Sequence, residues 1–121
     1  AEIYFSSWRY LMPHIRCRGM QREMVVAISE PLVEQLAELT KAPAAHFTVE
    51  YIPAEFIATR FGGQAYPFIE LFWFDRGQDM QDAAAQLITS IVKAASGSNN
   101  EVAVVVHPLV RANYYDNGQH Y

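Results

Sequence analysis

The sequence predicts an α+β fold in which two successive β-α-β units build one four-stranded mixed sheet with both helices on one face. Two observations carry this. Two stripes of apolar residues at helical spacing, near 21–40 and 78–95, each lie between two short runs with strand character. The order strand-helix-strand therefore occurs twice, each time at about the minimum length of a βαβ unit. Within each unit the two strands should pair in parallel through a right-handed crossover.

The elements follow in order. Residues 1–11, AEIYFSSWRYL, are aromatic with some strand character, and can be a natural extension, a mis-assigned translation start or a cloning remnant. They lack the basic start and long apolar centre of a secretion signal. Met12-Pro13 then reads as the beginning of a protein, placed twelve residues into this chain. His14 to Arg18 alternates polar residues with Ile15 and Cys17, as a half-buried strand does, and Gly19 ends it. A helix from about Gln21 to Thr40 is expected from Met24, Ile28, Leu32, Leu36 and Leu39 on one face. Pro31 inside that pattern should kink the helix near Ala27 or split it.

Phe47 to Ile52 is a second strand closed by Pro53, and Phe61-Gly62-Gly63 marks a flexible link or irregular hairpin within Ala54 to Ala65. Tyr66 to Phe74, apolar on both faces except at Glu70, reads as a central strand covered on both sides. After the polar turn Asp75 to Asp79, the second helix spans about Gln78 to Ala95. Its stripe is Met80, Ala83, Ala84, Leu87, Ile88, Ile91, Val92 and Ala95. Ser96 to Asn100 breaks it, and Val102 to Val106 is a fourth strand stopped by Pro108. The tail, Asn113 to Tyr121, carries the hairpin signal Asn117-Gly118. Two helices can cover only one sheet face, so the other must meet something, most simply another copy of the chain.

At 121 residues the chain suits a single domain, here 13–121 behind the extension 1–12. Half of it is hydrophobic and 18% charged, with a net charge of -4 and the two signs interspersed, so nothing suggests a nucleic acid partner. No apolar run reaches the length of a membrane span. A single cysteine, Cys17, excludes an internal disulfide and points to a reducing compartment, the cytoplasm.

Three segments carry a resemblance to a known family: Met12-Pro13 opening the first strand, Lys41-Ala42-Pro43 before the second, and Phe61-Gly62-Gly63 with Tyr66-Pro67 before the third. From Pro13 onward the chain resembles the tautomerase superfamily, which includes macrophage migration inhibitory factor (MIF) and 4-oxalocrotonate tautomerase. It is more similar still to a bacterial branch of uncharacterised small proteins within it. The resemblance implies a homotrimer whose sheets line a central barrel. It also implies a cofactor-free isomerase that moves a proton between carbon and oxygen of a small keto or enol acid.

By the same resemblance Pro13 is the matching general base, provided that the chain is processed so that its nitrogen is free. An α-amino group titrates near about 7.7–8.0. An apolar pocket and cationic neighbours make it lose its proton more easily, which brings it toward working pH. Left inside the chain, Pro13 carries an amide nitrogen and simply starts a strand. Lys41 matches the lysine of the family's Lys-x-Pro loop, and parallel strands begin at one sheet end, so geometry also brings that loop toward Pro13; otherwise Lys41 is a solvated charge after a helix. Arg76 lies where the family's pocket wall follows the third strand, or else it pairs with Asp75 or Asp79. A developing enolate needs such positive charge.

Glu70 is the one charge inside an apolar strand and needs a partner if buried, Arg16 or Arg18 being available; the sharper alternative is an acid acting with the proline. Glu50 occupies a comparable place in the first unit. His14, His46, His107 and His120 show no metal-ligand spacing. Phe61-Gly62-Gly63 lacks the helix and lysine of a phosphate loop. The fourth strand is wholly aliphatic where MIF has polar pocket residues, so polarity would come from Lys41, Arg76 and the tail tyrosines Tyr114 and Tyr115. Two functions stay open: a tautomerase acting through Pro13, or a non-catalytic trimer of that fold with a binding or structural role.

Overall fold

The computed structural model describes residues 13–59, 62–97 and 101–120. The extension 1–12, Met12 included, lies outside them, as does Phe61 of the expected Phe-Gly-Gly link. Strand β1 (His14–Arg18) leads into helix α1 (Arg22–Thr40), a 3-10 turn at Ala44–His46 and strand β2 (Thr48–Tyr51). The second unit is β3 (Phe68–Phe74), helix α2 (Gln78–Ser96) and β4 (Ala103–Leu109). A two-stranded hairpin, β5 (Tyr115–Asp116) and β6 (Gln119–His120), closes the chain around Asn117 and Gly118, both at positive φ as the Asn-Gly pair requires.

The four long strands form a mixed sheet in the order β2-β1-β3-β4. Pairing is parallel within each unit, and β1 meets β3 antiparallel, His14 opposite Phe72 and Arg16 opposite Glu70. One face carries Ile15, Cys17, Ile69, Leu71 and Trp73 into a core completed by Val25, Ile28, Leu32 and Leu36 of α1 and Ala84, Ile88 and Val92 of α2. Ala95, expected on the α2 stripe, is exposed, because the packed face ends at Val92. At the far end of β1, Gly19 passes so close to the Tyr66 carbonyl that a Cβ there would fall 1.9 Å from the oxygen; only glycine fits.

Three expectations are corrected. Pro31 neither splits nor ends α1, which runs unbroken from Arg22 to Thr40; packing of Ile28, Leu32 and Leu36 on the sheet outweighs the one missing N–H. The buried face of α1 also turns to Val25 in place of Met24 and ends at Thr40, whose hydroxyl donates to the Leu36 carbonyl at 2.7 Å. Strand β4 runs through Pro108 to Leu109. It lies at the sheet edge, where one side has no ladder and a residue without an N–H is tolerated. That extension brings His107 into the strand, so β4 is not wholly aliphatic.

The face away from the helices is not uniformly apolar either. Arg16 and Arg18 lie over the rings of Phe72 and Phe68, at 5.1 and 4.5 Å from their centroids. The cations travel with their acids: Arg16 bonds Glu50, and Arg18 faces Glu70.

Candidate functional site

Strand direction gathers five segments at one end of the sheet. The strands β1 and β2 start there, which the Thr48 N–H confirms by donating to the Pro13 carbonyl at 3.1 Å. Strand β3 runs the opposite way, so its end and Arg76 return to the start of β1; β4 is parallel to β3, so Leu109 and the turn toward Tyr114 arrive there too. Helix α1 runs back along the sheet and delivers Lys41 and Ala42 to the same end.

Pro13 is fully buried. Alternation along β1 puts it on the helix-covered face with Ile15, and continuing the β1–β3 register from His14–Phe72 sets it opposite Trp73. Trp73 is 2% exposed, and its Nε1 has no hydrogen-bond partner among the described residues. Lys41 is exposed and caps α1 in the left-handed region (φ 60°), its N–H donating to the Ala37 carbonyl, while Ala42 behind it is buried. Arg76 follows β3 on the surface, where partial desolvation lowers its pKa.

The opposite face at this end holds an open depression of about 590 Å³, with His14, Thr48, Phe72, Leu109 and Tyr114 among its lining residues. His14 bridges it: Nδ1 shares a hydrogen bond with Thr48 Oγ1 at 2.7 Å and Nε2 one with the Tyr114 hydroxyl at 2.6 Å. Burial lowers the His14 pKa, opposed by Glu50 and aided by Arg16, which favours the neutral ring. Burial raises the Tyr114 phenol, and Asp116 adds to that. Tyr115, by contrast, is 63% exposed in the terminal hairpin and packs against His120.

Glu70 lies deeper along the sheet. Its carboxylate meets His107 Nε2 at 2.8 Å and Arg18 at 3.6 Å, while the His107 ring stacks on Phe72. Glu70 is therefore a paired structural acid two residues removed from the Phe72 position, not a member of the depression. Cys17 is buried, which pushes its thiol up to about 11 and keeps it protonated. Among the described residues no group of three or more His, Cys, Asp and Glu side chains could hold a metal ion. No described helix is long and apolar enough to cross a membrane.

Of the residues expected at the site, the structure brings Pro13, Lys41, Arg76 and Tyr114 to one end and leaves Glu70 and Tyr115 apart. The sequence reading passes over His14 and Trp73. His14 alternates with Ile15 and so had to face away from the core, a signal present in the pattern. Trp73 looks like any core aromatic, and only the folded chain shows that its N–H has no acceptor among the described residues.

The family described as "Domain of unknown function (DUF1904)" matches residues 12–120. A protein of unknown function from Vibrio cholerae O1 biovar eltor is 37% identical over 98% of this chain and 93% of its own, with a TM-score of 0.86. A DUF1904 domain from Sebaldella termitidis is 34% identical over 91% of this chain and all of its own, with a TM-score of 0.80. The fold alone is shared with a fused 4-OT described as an asymmetric trimer (14% identity, TM-score 0.73, covering 88% and 94%). It is shared likewise with a MIF-like protein from Entamoeba histolytica (12%, TM-score 0.73, covering 91% and 99%). No curated protein matches.

Proposed function

Given that the chain belongs to the DUF1904 family and carries the tautomerase/MIF fold, we propose that it is a cofactor-independent tautomerase of a small keto or enol acid, with Pro13 as general base in chains that begin there. The observation that carries this is the burial of Pro13 at a sheet end where Lys41 and Arg76 also arrive. A secondary amine in such a place is a base near neutral pH, because desolvation and nearby cations both disfavour its ammonium form. It takes the proton from the carbon next to the carbonyl, and the same site returns it to oxygen or carbon as the enolate collapses. Lys41 and Arg76 supply the positive charge that an enolate and a carboxylate require.

A free nitrogen at Pro13 requires loss of residues 1–12. The match to the family begins at Met12, and the strands and helices of the described residues lie between 14 and 120, so the shortened chain keeps all of these. A chain that retains the extension has an amide at Pro13, and for that form the reading is a non-catalytic binding or structural oligomer. We assign the assembly as a homotrimer, because the sheet face away from the helices still presents Phe68, Phe72, Val105 and Leu109 between its ion pairs. The location we assign is the cytoplasm, where the lone Cys17 stays reduced.

The test compares the full chain with one beginning at Pro13, using phenylpyruvate and following keto–enol conversion. Activity only in the shortened chain, reduced but not erased by Pro13→Ala, is expected. Equal activity in both forms removes Pro13 as the base, and activity in neither favours the binding role.

A further inference from the structure

We propose that the indole N–H of Trp73 is a ligand-binding donor at the Pro13 end of the sheet, holding an oxygen of the bound keto or enol acid. The starting point is an unmet hydrogen bond. Trp73 is 2% exposed, and its Nε1 has no acceptor among the described residues. A buried N–H left in that state is costly, and native proteins seldom keep one without use. Buried tryptophans ordinarily give that proton to a partner.

Its place in the sheet says what the partner would be. Trp73 stands two residues beyond Leu71 on the helix-covered face, and the antiparallel register sets it across from Pro13. On its other side its partner is Pro108, which has no backbone N–H to compete for an acceptor. Arg76 follows three residues later, and Lys41 ends the helix that returns to this end. In the proposed complex the ligand beside the Pro13 nitrogen takes one neutral donor from Trp73 and positive charge from Lys41 and Arg76.

The chemistry is selective. Indole N–H is a donor only and never a base, so it accepts no role in the proton transfer itself. It pairs with a carbonyl oxygen and pairs more strongly with the enolate, since hydrogen bonds to an ionised acceptor are the stronger kind. A ligand of similar shape without that oxygen leaves the N–H buried and unpaired, which a site built this way rejects.

The inference rests on the reading of the Pro13 end as the site, and the experiment separates the two. The sequence has two tryptophans, Trp8 and Trp73, so a chain beginning at Pro13 carries Trp73 as its one indole. With 15N-tryptophan in that chain, the single indole N–H resonance is followed while phenylpyruvate is added. A saturable downfield proton shift is expected, and Trp73→Phe should lower kcat/KM at least tenfold while circular dichroism stays that of the parent. A shift without turnover upholds the donor and sinks the tautomerase. An indole resonance unmoved at saturating phenylpyruvate, or a folded Trp73→Phe enzyme with parental kcat/KM, overturns the inference even if the tautomerase stands.

Discussion

Glu70 Oε2 lies 2.8 Å from His107 Nε2, across the β3–β4 pair and on the sheet face that the helices leave open. The carboxylate has Arg18 on its other side at 3.6 Å, and its side chain is only 14% exposed. A strand that is otherwise apolar can carry this acid because two partners arrive from both neighbouring strands.

Replacing Glu70 by Gln keeps the size and loses the charge that Arg18 and His107 face. We expect a loss of about 1.5–3 kcal/mol, the range for hydrogen bonds to charged groups. Urea denaturation of the parent and variant measures it; an unchanged midpoint would show that the cluster is idle.

Pro31 is a cost inside a continuous helix. Pro31→Ala restores a donor one turn after Ala27, and up to about 3 kcal/mol of propensity favours alanine there. A rise in stability is expected on chemical denaturation. A fall would mean that the proline ring itself packs in a way alanine cannot replace.

Lys41 holds a left-handed backbone at φ 60°, where a residue with a Cβ is strained by about 1–2 kcal/mol. Lys41→Gly should therefore raise thermal stability and, in the chain beginning at Pro13, lower turnover. A variant that gains stability at full activity would place the lysine outside the site.

His14 gives stability a pH dependence. Its folded pKa is below the usual 6.5, mainly through burial, so the unfolded chain binds its proton first as pH falls. The contribution is fully present above about pH 6.5 and is lost as pH falls through the folded value. Stability curves of parent and His14→Gln should run closer together at pH 5 than at pH 7.5. Parallel curves would show that the ring titrates freely.

The open sheet face predicts association. Sedimentation at micromolar concentration should give three chains, and Phe72→Glu, placed between Arg16 and His107, should weaken the assembly. A stable monomer would defeat the trimer.

Local pattern determined much of this protein. Alternation around Ile15 and Cys17, the apolar stripes of both helices and the Asn117-Gly118 turn were each set by spacing alone, because strands and helices bury one face at fixed periods. The position of Pro13, Lys41 and Arg76 at one end followed from that order once β3 was known to run against β1, which is a pairing no local pattern states. Tertiary contacts overruled propensity at Pro31 and Pro108, where packing and an edge position absorbed the missing donors. They also decided what no residue announces by type. His107 became the partner of Glu70, His14 joined Thr48 to Tyr114, and Trp73 was left with a buried N–H, since a hydrogen bond between distant residues exists only after the strands have fixed their register.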